Sequence, residues 1–182
     1  MDINDYIARL KQLTQAIEQD YYVEYLKNIK GLTSVIAHRV QGSSKNAKGG
    51  LFSQYSDTKV QPFMFYPEAT RLNKGLNQLK AMQKRGESLS YADFRKLIGK
   101  TNSNKNFELS GDMWAKFGIT KTDKQSNTVF IGGKSKSSAF KIAANTAREK
   151  INIIAPSEEE ITLVTNHLEK YLVNLFRKYE VI

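Results

Sequence analysis

The sequence predicts an α+β fold, a small antiparallel sheet packed against a long C-terminal helix, with a long N-terminal helical part and a basic loop or arm. Three observations in the last third of the chain carry that expectation. Phe117 and Ile119 alternate with polar residues, as do Val129 and Ile131, and the stretch KTDKQSN between them is turn-rich, which is the period-two pattern of a hairpin. Pro156 is followed by Ser157 and three glutamates, a capping box in which Ser157 caps the Glu160 amide and the Glu160 side chain reaches back to Ser157. Beyond that start signal Ile161, Val164, Leu168, Tyr171, Leu172, Leu175 and Tyr179 recur at helical spacing. Phe117, Ile119, Val129 and Ile131 are therefore expected to meet the helix face that carries Ile161, Val164, Leu168, Leu172 and Leu175. A further helix is expected from about Ser138 to Arg148, and the short apolar run Ile151 to Ala155 joins the two.

At the other end Ile3, Tyr6, Ile7, Leu10, Leu13 and Ile17 recur every three or four residues, and the pattern continues through Tyr21, Tyr25, Ile29, Leu32 and Ile36 without a proline. One long helix is expected, or two joined near Asp20 to Tyr22 or at Gly31. From Gln41 to Gln61 the chain turns rich in glycine, serine and lysine, which reads as a loop or an extended arm. Such a segment buries too little apolar surface to order by itself, yet Leu51, Phe52 and Tyr55 sit within it. Those three are the candidate contacts of an arm that docks on a neighbouring subunit, while Lys45, Lys48 and Lys59 are candidate contacts to an acidic partner or a DNA channel.

Pro67 opens a second helical stretch with Ala69, Leu72, Leu76 and Leu79 on one face, ended by Gly86. Ser90 and Asp93 then start a short helix that carries Phe94, Leu97 and Ile98 inward as far as Gly99. The chain divides into an N-terminal helical region, 1–40, a basic middle, 41–106, and an α+β core, 107–182.

With 182 residues the chain can bury a self-sufficient core. The net charge of +10 is concentrated: residues 30–105 hold fourteen basic and four acidic side chains, whereas residues 1–29 hold three and five. A basic surface of this kind suits nucleic acid or an acidic protein. No cysteine is present, so there is no disulfide framework and no thiolate nucleophile. The N-terminal MDINDYIARL lacks the basic start and apolar run of a secretory signal, and no stretch reaches the length of a membrane span, so an intracellular protein without a membrane partner is expected.

Catalytic chemistry is not legible. Gly49-Gly50 lacks the spacing of a phosphate-binding loop. Glu158, Glu159 and Glu160 are explained by the helix start, and Ser110 in LSGD reads as well as the cap of a helical turn holding Met113 and Trp114 as it does as a nucleophile. His38 and His167 lie far apart in sequence. No enzyme, no metal site and no cofactor are expected.

The order Leu109-Ser110-Gly111 with Met113, a strand, Val129-Phe130-Ile131-Gly132, an alanine-rich helix with Ala143-Ala144, then Pro156 and a capped terminal helix, resembles the tail-completion and virion-morphogenesis proteins of tailed bacteriophages. The resemblance covers about residues 107 to 176, and the chain departs from it in carrying Phe140 before the alanines and in lacking a glycine after that helix and an arginine after the proline. It implies a non-enzymatic virion protein, assembled in the host cytoplasm, that forms a homo-oligomeric ring at the head-to-tail junction and meets other neck, portal or tail proteins and passing DNA. The alternative from the residues alone is a free nucleic-acid-binding module using the basic segment 30–105, with Phe52, Tyr55, Phe63, Phe65 and Tyr66 as stacking groups.

Overall fold

The computed structural model describes residues 2–108 and 111–180. A rod spanning 3–43 comprises α1 (Ile3–Ala16), a π-helical turn (Ile17–Tyr21) and α2 (Tyr22–Ser43). Nothing in its sequence breaks the hydrogen-bond ladder, so the joint expected near Asp20 is a π turn rather than a gap. That turn holds one extra residue and re-aims the apolar stripe. Before it Leu13 and Ala16 are buried, and after it Leu32, Ile36 and Val40. Gly31 lies within α2 and causes no interruption.

The terminal helix α8 (Glu158–Lys178) starts on the expected capping box, with Ser157 accepting from the Glu160 amide and the Ser157 amide donating to Glu160 Oε2 at 2.8 Å. It runs antiparallel along the rod, as three side-chain contacts show in turn. Arg39 Nε donates to Glu160 Oε1 at 2.8 Å, His167 Nε2 lies 3.3 Å from Glu24, and Arg9 pairs with Glu180. At the far end Leu13, Ala16 and Leu175 form a small apolar cluster.

The hairpin consists of β3 (Phe117–Asp123) and β4 (Thr128–Gly133), antiparallel, with Ile119 opposite Ile131 and a bulge between Ile119 and Lys121. Its packing corrects the expected layer. β3 lies against α2, and α7 (Lys136–Glu149) lies against β4. The main cluster joins Leu32, Ile36 and Val40 to Phe52, Met113, Trp114, Phe117, Ile142 and Ile153, and Ile131 and Val164 pack at its margin. From α8, therefore, Val164 reaches this cluster, Leu168 and Leu175 are buried, and Ile161 is half exposed at 50%. The reason is geometric: the rod is long enough to cover the hairpin and α8 together, so the two amphipathic surfaces each meet the rod. Gly133 permits the β4–α7 junction, because a Cβ there would stand 2.3 Å from the Ala139 backbone nitrogen.

A second cluster, Ala69, Leu79, Leu89, Phe94 and Ile98, is built from the middle of the chain. Here β1 (Lys59–Val60) pairs with β2 (Leu89–Ser90), followed by α5 (Tyr91–Leu97) on a capping box from Ser90 and Asp93. The stretch expected as one helix from Pro67 is two, α3 (Tyr66–Leu72) and α4 (Leu76–Lys84), separated by Asn73 and Gly75 in left-handed backbone conformation. A Cβ at Gly75 would stand 2.2 Å from Leu97 Cδ2, so the turn also seats α5.

Glu160 joins the first cap of α8 to the rod through a largely buried pair, and removal of one partner strands the other. Glu160→Ala is expected to cost ~3 to 5 kcal/mol of stability, the range for breaking a buried ion pair. Chemical denaturation checks this, and a loss no larger than that of a surface substitution would show that the pair does not hold α8 to the rod.

Candidate functional site

The segment 41–61 is a folded loop and not a free arm. Ser44 caps α2 in left-handed conformation, its amide donating to the Val40 carbonyl. The Asn46 side chain then organises the turn: its Oδ1 accepts from the Lys48 amide at 2.8 Å and the Gly50 amide at 3.2 Å, while the Asn46 backbone N–H donates to the Gly50 carbonyl. Backbone groups that water would otherwise satisfy are thereby paired within the chain.

Phe52 and Tyr55, expected as contacts to a neighbour, are buried in their own chain at 2% and 8% exposure. Phe52 meets Phe107 edge to face, with ring centroids 4.8 Å apart. The Tyr55 hydroxyl donates to Asn106 Oδ1 at 2.9 Å and accepts from the Asn106 amide. The docking role is therefore corrected for these two, because residues 104–107 return across the loop and cover them. Leu51 is exposed, as are Lys45, Lys48 and Lys59. Of the proposed stacking groups Phe65 is also engaged, stacked on Phe94 at 4.7 Å, while Phe63 is exposed.

Where the two apolar clusters face each other the chain leaves a cleft of about 710 Å³. One wall is a stripe of α5, on which Tyr91 and Arg95 lie four residues apart, with Arg71 of α3 beside it. The opposite wall is a stripe of α7 carrying Lys141, Asn145 and Arg148 at helical spacing. Tyr55, Lys105, Phe107 and Met113 supply further lining. Among the described residues, five basic and two acidic side chains line the space.

Most of these charges are matched. Arg71 pairs with Glu68 and with Asp112, Lys100 pairs with the cleft residue Glu108 at 2.8 Å, and Lys105 pairs with Glu149 at 2.8 Å. Arg95 is the exception with the greatest consequence. Only 1% exposed, its guanidinium donates to the Glu108 carbonyl and to Asn106 Oδ1, and it stacks on the Tyr55 ring at 4.0 Å from the centroid. Its Nε is buried without an acceptor. Among the described residues no carboxylate pairs with Arg95, and none pairs with Lys141 or Arg148. Burial raises the Tyr55 and Tyr91 phenols above their ordinary value, which keeps both as neutral hydroxyls at physiological pH.

The sequence signal for this cleft was faint. Lys141 and Arg148 share a helical stripe, but nothing in the sequence brings α7 opposite α5. Ser110 lies outside the described residues; Gly111 caps α6 (Asp112–Ala115), the helical turn expected to hold Met113 and Trp114, and the structure buries both. The histidines are apart, His167 beside Glu24 and His38 near Gly42 on the exposed side of α2. Among the described residues no three His, Asp or Glu side chains converge on a point where a metal ion could sit. No described helix is long and apolar enough to cross a membrane. No protein-family model, curated protein or solved structure matches the chain.

Glu149 supplies a pH-dependent contact beside the cleft. Burial alone would raise its carboxyl, but the bonds from Lys105 and Ser53 outweigh it and hold the group below its ordinary value. The contact therefore stabilises the fold above the ordinary carboxylate value and is lost as pH falls through the lowered one. Glu149→Gln is expected to be less stable than the parent at neutral pH, with the gap closing on acidification through that range. Melting temperatures across the acid limb check this, and a gap that stays constant with pH would refute it.

Proposed function

We propose that the chain is a structural subunit of a tailed-phage virion, forming a closed ring at the head-to-tail junction with other neck, portal or tail proteins. The observation that carries this reading is the exposure of large apolar side chains on separate elements. Ile3 is 71% exposed on the first turn of α1, with Ile7 and Tyr6 beside it on the same helix, and Phe140 is 73% exposed on α7. Phe130 is exposed on β4, which packs against α7. A ring closes through a heterologous interface, in which one patch of a subunit meets a different patch of the next, and two unlike apolar surfaces are what that geometry requires.

The order of elements agrees with the resemblance from Met113 onward: a helical turn, a hairpin, an alanine-rich helix and a capped terminal helix. Exposed Lys45, Lys48 and Lys59, with Leu51, remain as candidate contacts to an acidic neighbour or to passing DNA. A free nucleic-acid-binding module is less well supported, because Phe52, Tyr55 and Phe65 are engaged in the chain's own packing, which leaves charge without the stacking platform that single strands use.

Mass spectrometry of purified particles of the encoding phage tests the reading. The chain is expected among the virion proteins, and Phe140→Asp, at an exposed position, is expected to leave the fold intact while reducing incorporation at least about tenfold, as loss of an interface anchor does. A chain absent from the particles would overturn the proposal.

A further inference from the structure

We infer that the cleft between α5 and α7 is a binding site for a phosphate monoester of mononucleotide size. The inference does not depend on the ring reading. It rests on three cations around one space that have no carboxylate partner among the described residues: Arg95, Lys141 and Arg148.

Arg95 is the decisive group. A guanidinium at 1% exposure is ordinarily paired, because a buried charge is costly without a counter-ion. Here a carbonyl, an amide oxygen and an aromatic face hold it, all of them neutral, so the positive potential of the cleft floor stays uncancelled. Lys141 and Arg148 add to that potential from the opposite wall, two turns apart on one face of α7. The two lining carboxylates do not offset it, since Glu68 is engaged by Arg71 and Glu108 by Lys100. Any occupant must therefore bring negative charge. A phosphate monoester carries close to two charges and three acceptor oxygens, which suits the Lys141 and Arg148 donors of one wall lying in the field of the buried Arg95.

Size and lining point to what the phosphate is attached to. About 710 Å³ is far more than a free anion fills and lies within the range of pockets that enclose small organic ligands. Half-buried Tyr91 and Phe107 line the cleft together with Met113, a wall suited to a planar ring. Duplex DNA does not fit this description, because a recessed guanidinium is out of reach of a convex phosphate backbone. The phosphate can belong to a free nucleotide or to the terminal 5′-phosphate of a single strand, and the chemistry at the cleft is the same.

Isothermal titration of the full chain at low salt tests this with adenosine monophosphate, adenosine, inorganic phosphate, citrate, a 5′-phosphorylated trinucleotide and its unphosphorylated form. Saturable binding of the monophosphate is expected, weaker by at least about tenfold for adenosine, with inorganic phosphate between them. Lys141→Ala with Arg148→Ala is expected to weaken it at least about tenfold, while Lys80→Ala with Lys84→Ala, exposed on α4 outside the cleft, leaves it unchanged. Preference for the 5′-phosphorylated trinucleotide over its unphosphorylated form would assign the source to a strand end, and preference for the mononucleotide to a free nucleotide. Absence of saturable monophosphate binding, equal affinity for adenosine, or tighter binding of citrate would overturn the inference, the last in favour of a carboxylate partner. Equal loss in the α4 variant would overturn it as unspecific attraction to a basic surface.

Discussion

The Arg39–Glu160 pair is the contact on which the rest of the structure depends. Glu160 closes the capping box that starts α8, and through its other oxygen it holds Arg39 near the end of α2. Arg39 extends the junction further, donating to the Ala155 carbonyl before α8 and to the Lys45 carbonyl at the start of the loop. Four segments thus meet at two side chains, one 14% and the other 7% exposed. With its donors and acceptors largely satisfied, such a buried pair specifies an arrangement more than it adds net stability, since the same groups would be well solvated in the unfolded chain. What it specifies is the antiparallel register of α8 along the rod, which the contact of Leu13 and Ala16 with Leu175 then completes.

With the rod covered by α8 on one side and the hairpin on the other, the middle of the chain forms a core of its own. The polar strip 103–108 ties the two clusters together. Asn106, 2% exposed, accepts from Tyr55 and Arg95 and donates to the Gln41 carbonyl, so a single amide connects the end of α2, the loop and α5. A polar junction of this sort fills less completely than an apolar one, because hydrogen-bond directions and not close packing set the spacing. The cleft is the space left at that junction. Its positive character follows from the same arrangement, since the neutral groups of the strip engage the Nη atoms of Arg95 without offsetting its charge.

The two functional proposals use different surfaces. Ring formation draws on apolar side chains of α1, β4 and α7 that stand exposed, and the cleft draws on the opposed stripes of α5 and α7. Helix α7 serves both because it is amphipathic in two senses: Ile142 faces the core, Phe140 faces outward, and Lys141 with Arg148 faces the cleft. An occupied cleft would therefore bear on the helix that presents Phe140, through shared backbone rather than through contact.

Local signals alone determined much of this protein. The two capping boxes, at Ser90 and Ser157, and the alternation around Phe117 and Ile131 were legible because caps and strand periodicity depend on residues within a few positions of one another. The α+β class and the two long helices followed. Only tertiary structure decided what each amphipathic face meets: the hairpin was expected on α8 and lies on α2, since a stripe of leucines and isoleucines carries no address. Likewise the loop composition at 41–61 suggested a free arm, but Asn46 pairs its backbone and residues 104–107 close over Phe52 and Tyr55, contacts made across about fifty residues of chain. The cleft belongs to the same class. Arg95 and Arg148 look like ordinary helix-surface cations in the sequence, and it is the long-range packing of two cores that buries one and sets the other across from it.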